Sequence, residues 1–90
     1  MKHIELTRHA ITRMAHRNIT RSMLRHVIEA GEIIKEYPDD KPYPSRLILG
    51  YVDLRPVHVV LTELDDMYIV ISAYEPDPGT WETDMKRRKL

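Results

Sequence analysis

Val57-His58-Val59-Val60-Leu61-Thr62-Glu63-Leu64-Asp65-Asp66-Met67-Tyr68-Ile69-Val70-Ile71-Ser72-Ala73-Tyr74 is two β-branched, apolar runs divided by a pair of aspartates. Branched and aromatic side chains fit a pleated sheet better than a helix, and paired aspartates favour a turn. The stretch predicts a hairpin: a strand over Val57–Leu64, a turn at Asp65-Asp66 and a strand over Tyr68–Tyr74. Upstream, Arg46–Val52 has the same character and joins through the tight turn Asp53-Leu54-Arg55-Pro56. Glu32–Tyr37 is a further strand. It is set apart by Pro38-Asp39-Asp40-Lys41-Pro42-Tyr43-Pro44, whose three prolines make it a loop. Short turns between successive strands predict a sequential antiparallel sheet of four.

Before the sheet the period changes. At 100° per residue, Thr7–Arg17 places His9, Arg13, His16 and Arg17 on one face and Ala10, Ile11, Met14 and Ala15 on the other. Asn18 suits a left-handed helix stop. Thr20 predicts the cap of a second helix running to Ala30, with Met23, Leu24, Val27 and Ile28 as its apolar face and Gly31 as its end. After the sheet, Glu75-Pro76-Asp77-Pro78-Gly79 breaks the pattern. Thr80 then predicts a cap for a short helix from Trp81 to Arg88, with Trp81 as its anchor. The sum is one α+β domain over residues 1–90: two N-terminal helices, a four-stranded antiparallel sheet and a short C-terminal helix.

Composition narrows the functional classes. Apolar residues at 42% and charged residues at 31% fit a folded globular chain, not a disordered one. Without cysteine there is neither disulfide nor thiolate chemistry. No apolar run approaches the ~20 residues of a membrane span. Met1-Lys2-His3-Ile4-Glu5 lacks the apolar core of a signal peptide, so a cytoplasmic location is expected. The net charge of zero conceals a segregation. Residues 1–26 carry six basic groups against Glu5 alone, and residues 27–84 carry four basic groups against thirteen acidic ones. Lys86-Arg87-Arg88-Lys89 closes the chain with four cations, read as a solubilising end. A polyanion would meet the ends of this chain rather than its middle.

The chemistry-bearing residues are few. Arg13 and Arg17 share their helix face with His9, and guanidinium forks match phosphate oxygens. His58, inside an apolar strand, reads either as a packed histidine or as a rigidly held general acid or base. A two-residue turn at Asp65-Asp66 sets it opposite Ala73. A turn at Leu54-Arg55 sets it opposite Tyr51. Tyr74 then falls on the other face, unless a one-residue bulge or a three-residue loop at Asp65-Asp66-Met67 reverses the strand. Tyr74 ends its strand beside a loop, where a hydroxyl can bind phosphate or a ring can stack on a base. Arg46 opens a strand after the proline loop. His9 and His16 stand about 10 Å apart along a helix, too far for one ion, so no metal site is expected. With three glycines in all, the chain has no phosphate-cradling loop, and no cofactor is expected.

Four segments carry a resemblance. They are Arg8-His9-Ala10 with Arg13-Met14 and Arg17-Asn18-Ile19-Thr20; Glu36-Tyr37-Pro38-Asp39-Asp40-Lys41-Pro42-Tyr43-Pro44-Ser45; Leu49-Gly50-Tyr51-Val52 with Arg55-Pro56-Val57-His58-Val59-Val60; and Ala73-Tyr74-Glu75-Pro76-Asp77 with Trp81. Together they resemble a small bacterial and archaeal family of unknown function placed near the RelE, MqsR and BrnT toxins. The resemblance implies a RelE-like toxin fold and metal-independent RNA cleavage. It implies site residues at His9, Arg13, Arg17, His58 and Tyr74, to which Arg46 is added from its position. It also implies RNA as substrate and a protein antitoxin as partner, in some relatives one of MqsA-like zinc-finger type.

The expectation is therefore the toxin of a type II toxin–antitoxin pair, an endoribonuclease. His58, His9 and Tyr74 would be catalytic, and Arg13, Arg17 and Arg46 would hold phosphate. The alternative is a non-catalytic protein- or RNA-binding module. A homodimer along a sheet edge is a third arrangement to test.

Overall fold

In the expected hairpin, β4 (Arg55–Glu63) and β5 (Met67–Tyr74) pair antiparallel, as their β-branched runs require. A computed structural model describes residues 2–90; Met1, part of the N-terminal reading above, lies outside them. The other elements are β1 (His3–Leu6), α1 (Arg8–Arg17), α2 (Arg21–Ala30), β2 (Glu32–Tyr37) and β3 (Ser45–Val52). The strands form one sheet in the order β1-β5-β4-β3-β2. No helix among the described residues is long and apolar enough to cross a membrane.

The helices form where their caps allow. The Thr7 hydroxyl accepts from the Ala10 N–H at 3.1 Å, and that of Thr20 from Met23 at 3.1 Å. Asn18 is left-handed, with φ 55°, and Ile19 N–H closes back onto Met14 C=O at 2.9 Å, so α1 stops as expected. Both helices lie on one face of the sheet, α1 over β5 and α2 over β3. Between them and the sheet are Ala10, Met14, Leu24, Val27, Ile48, Val57, Val59, Leu61 and Val70, all buried. Ile11, expected on the inner face of α1, is instead half exposed.

Three expectations need correction. The sheet has five strands and is mixed, because His3–Leu6 pairs parallel with β5, Ile4 beside Tyr68 and Leu6 beside Val70. Ile4 enters the core while His3 and Glu5 stay outside, a strand alternation too short to read before the helix begins. The C-terminal helix is absent among the described residues. Met85 is left-handed at φ 60°, and the Asp84 carboxylate takes the Lys86 N–H at 2.9 Å. Glu82 N–H donates to Arg87 C=O and Lys89 N–H to Thr80 C=O, each at 2.8 Å. Trp81 therefore pairs with Arg88 in a tight reversal, and residues 81–88 form a strap rather than a helix. The RelE-like arrangement of four antiparallel strands and a closing helix is thus not the arrangement found.

The third correction is register. The Asp65-Asp66 turn behaves as expected near the hairpin end, where Glu63 faces Tyr68 and Leu61 faces Val70. Ile71 is then an extra residue in β5, so Val60 faces Ser72 and His58 faces Tyr74 instead of Ala73. Thr7 settles the bulge: its N–H donates to Val70 C=O at 3.1 Å and its hydroxyl to Ile71 C=O at 3.0 Å. One threonine therefore caps α1 and ties it to the irregular point of β5. On the other side the turn is Asp53-Leu54, and His58 faces Leu49 rather than Tyr51.

Both residues of that turn have positive φ, 50° and 70°. This is the hairpin turn that glycine and asparagine prefer, yet Leu54 occupies it with its side chain in solvent. Leucine in this region costs about 1–2 kcal/mol. Leu54→Gly is expected to raise the melting temperature, since it relieves that strain and removes no contact. A lowered melting temperature would show that the exposed leucine contributes packing.

Candidate functional site

The sheet face turned away from the helices carries Leu47, Leu49, His58 and Tyr74. The strap lies over it. Trp81 meets the His58 ring edge-on at 4.5 Å between centroids, and Lys86 pairs with Glu32 of the edge strand at 3.0 Å. Beside the strap remains a groove of about 550 Å³. Its floor is Leu47, its walls are Tyr37 and Tyr74, and its rim is Lys35 and Arg88.

Cations and rings alternate around this groove. The Lys35 ammonium sits over Tyr37 at 5.5 Å, the Arg13 guanidinium over Tyr74 at 4.8 Å and that of Arg88 over Trp81 at 5.6 Å. None of these three is among the ion pairs formed by the described residues, whereas Lys86 and Arg87 are paired with Glu32 and Asp84. Cation–π contacts hold the side chains without neutralising them. The three charges are thereby left without a carboxylate. Among the described residues, Arg13, Lys35 and Arg88 are the cations that lack a carboxylate partner and are seated on aromatic rings.

His58 is fully buried, and both its nitrogens are engaged. Nε2 lies 2.7 Å from the Met85 carbonyl, which can only accept, so Nε2 carries the hydrogen. Nδ1 is then the acceptor, and the Tyr74 hydroxyl donates to it at 3.3 Å. Burial holds the imidazole pKa below its ordinary value, against a smaller upward pull from the Met85 carbonyl. Burial also raises the Tyr74 pKa, helped by Tyr37 and opposed by Arg13 and Arg88. The phenol stays protonated and is a donor rather than a base.

Of the six residues singled out from sequence, three converge: His58, Tyr74 and Arg13. His9 and Arg17 are exposed on the same face of α1, one turn before and one turn after Arg13. The Arg17 carbonyl accepts from Arg55, which also donates to Glu75 at 2.8 Å and so ties the end of α1 to the chain beyond β5. Arg46 is elsewhere. It faces the helix side of the sheet, opposite Leu61, and pairs with Glu63 at 3.0 Å. Lys2 joins the same carboxylate at 2.7 Å, and these two cations draw the Glu63 pKa down, the Lys2 hydrogen bond most of all. Among the described residues no three His, Cys, Asp or Glu side chains come together as a metal-ligand set.

Sequence reasoning missed Lys35, Tyr37, Arg88 and the role of Trp81. A bulge at Ile34 puts Lys35 opposite Leu47, on the groove side of the sheet. The strap brings Arg88 back over the sheet. The available signal was the tail itself: four cations within eight residues of the chain's one tryptophan.

Compared with known families, residues 6–75 match a domain of unknown function, DUF4258. The chain belongs to the DUF4258 family. No curated protein matches it, and no solved structure does. The DUF4258 region contains Arg13, Lys35, Tyr37, His58 and Tyr74, while Trp81 and Arg88 lie beyond it. The groove is therefore built jointly by the DUF4258 region and the strap that follows it.

Proposed function

We propose that this DUF4258 protein binds single-stranded RNA along the groove and cleaves it as the toxin of a toxin–antitoxin pair. One observation carries the reading: three cations without carboxylate partners, each seated on an aromatic ring, around one protonated phenol. Phosphates would meet Arg13, Lys35 and Arg88, and bases would stack on Tyr37 and Tyr74. In cleavage, the 2′-oxygen attacks phosphorus and the bond to the 5′-oxygen breaks. His9, exposed one turn from Arg13, takes the 2′-hydroxyl proton, and Tyr74, its O–H turned from His58 Nδ1 toward the groove, gives its proton to the leaving 5′-oxygen. The products are a 2′,3′-cyclic phosphate and a 5′-hydroxyl. The charge that builds on phosphorus is met by guanidinium and ammonium groups already in place. The link to the toxins rests on the sequence resemblance. The protein antitoxin it implies would be an acidic partner covering this groove.

His58 itself supports a second reading, an RNA- or protein-binding module without cleavage. With both nitrogens bonded beneath Trp81, the imidazole nearest Tyr74 has no route to a 2′-hydroxyl.

Binding is tested first. Lys35→Ala/Arg88→Ala removes two exposed cations without opening the core. Measured by anisotropy with a labelled single-stranded oligoribonucleotide, its affinity is expected to fall. The slope of log affinity against log salt should flatten by roughly 1.4, the share of two phosphate contacts. Affinity and slope equal to those of the wild type would overturn the placement of RNA in this groove.

A further inference from the structure

One buried ring joins the two halves of the groove. Through Nδ1, His58 accepts the Tyr74 hydroxyl at 3.3 Å, and through Nε2–H it holds the Met85 carbonyl at the turn of the strap at 2.7 Å. Trp81 packs against the same ring. Beyond it, Lys86 pairs with Glu32, and Arg88 lies over the Trp81 indole. The strap is thus fastened by one hydrogen bond at its turn, one aromatic contact at its base and one ion pair at the sheet edge. Resting on the RNA reading above, we infer that His58 is a positioning residue, a latch that sets the orientation of the Tyr74 hydroxyl and the seat of the cationic strap together.

The tautomer makes the latch sensitive to protonation. A neutral ring has one donor and one acceptor, and both are matched. A protonated ring has two donors. Its Nδ1–H would then point at a phenol that has been donating to it, and the imidazolium would be sealed in an apolar site. The groups facing the ring are Leu49 from β3, the Tyr74 hydroxyl from β5, and the Trp81 ring and Met85 carbonyl from the strap. Two of these rings carry cations on their other sides, Arg13 over Tyr74 and Arg88 over Trp81, while the carboxylates next in sequence to these partners, Glu75 and Asp84, are paired with Arg55 and Arg87. Among the described residues, no carboxylate is hydrogen-bonded or ion-paired to the ring. Burial lowers the pKa, so the latch is closed above about pH 6.5, the ordinary histidine value, and opens as the pH falls beneath it. The neutral latched state is lost on acidification, not on alkalinisation.

Trp81 reports the latch directly, as the chain's one tryptophan. Its fluorescence is followed from neutral to acid pH, with far-UV circular dichroism recorded on the same samples and RNA affinity measured in parallel. A Trp81 transition below about pH 6.5 is expected with the dichroism unchanged. RNA affinity should fall by roughly fivefold over the same interval, the equivalent of one lost hydrogen bond. That fall runs against the usual gain in RNA affinity as histidines become charged, so simple electrostatics does not produce it. His58→Gln keeps an N–H donor for Met85 and does not titrate, so its Trp81 signal should stay flat and its RNA affinity should not fall. His58→Asn keeps an acceptor for Tyr74 and gives the same flat titration should the glutamine variant not fold. A wild-type Trp81 signal without a transition, or the same transition in His58→Gln or His58→Asn, overturns the latch. A Trp81 transition in a protein that binds no RNA at any pH supports the latch and overturns the RNA reading instead.

Discussion

Tyr74→Phe is expected to lower RNA cleavage by about 10²–10⁴-fold, the range contributed by a positioned proton donor, while RNA affinity changes little. The substitution is selective because of where the hydroxyl sits. The ring stacks under Arg13 and forms one wall of the groove, and phenylalanine keeps both features. Only the O–H is lost, and with it the proton offered to the leaving oxygen. The phenol is suited to that role because burial raises its pKa and keeps the proton on it, despite the opposing pull of Arg13 and Arg88. Losing the hydroxyl leaves His58 Nδ1 without a donor, which costs about 1 kcal/mol and lowers the melting temperature slightly. Cleavage at the wild-type rate in Tyr74→Phe would remove Tyr74 from the chemistry. Loss of binding together with cleavage would make the hydroxyl a phosphate ligand rather than a proton donor.

Gly31→Ala is expected to be the most damaging single-methyl change in the fold. Gly31 leaves α2 with φ −80°, a conformation open to any residue, so backbone freedom does not explain the glycine. Space does. A Cβ there would lie 2.4 Å from the Val27 carbonyl oxygen, 2.8 Å from that of Leu49 and 2.7 Å from Ile48 Cγ2. Two of these atoms are backbone and cannot turn aside. The helix must therefore lift from β3, opening the contact of Val27 with the sheet. A loss of about 3 kcal/mol, the upper end for overpacking, is expected. In a domain of this size that lowers the melting temperature by more than about 10 °C. Gly50→Ala is the milder companion, since its Cβ would meet the Val27 side chain at 3.0 Å. An unchanged melting temperature in Gly31→Ala would mean that α2 is not seated on β3 as described.

Local rules carried the reading of this chain well and long-range ones did not. Thr7, Asn18 and Thr20 marked the helix ends because a cap is decided within four residues. The β4–β5 hairpin was legible because β-branched runs and an Asp-Asp turn are local too. His3–Leu6 was not legible, since four residues gain strand identity only from the parallel partner they meet in β5. The strap reads as a helix in sequence because a capping threonine and helix-tolerant residues follow the prolines. Its reversal depends on the Asp84 side chain taking a backbone N–H and on the His58 ring holding Met85.

The site followed the same division. Tyr74, His58 and Arg13 were named from type and position, yet their meeting depends on a single extra residue, Ile71. Without that bulge, His58 would face Ala73 and Tyr74 would point toward the helices. What fixes the bulge is Thr7, more than sixty residues earlier in the chain. Arg46 reads as a site residue from its position at the start of a strand, but its partner Glu63 is visible only once β3 and β4 are paired. Lys35 reaches the groove through a bulge of its own, at Ile34. Two one-residue irregularities therefore decide which face each functional side chain occupies, and no periodicity announces either of them.

The placement of RNA in the groove between Tyr37, Tyr74 and the strap can be read residue by residue. Its most direct test is a nuclear magnetic resonance titration of the ¹⁵N-labelled protein with a short single-stranded oligoribonucleotide made uncleavable by 2′-O-methyl groups. Shifts are expected to concentrate at Arg13, Lys35, Tyr37, Tyr74, Trp81 and Arg88, with the Trp81 indole N–H among the largest. Shifts confined to α2, to β1 or to the Arg46–Glu63 end of the sheet, or no shifts at all, would contradict it.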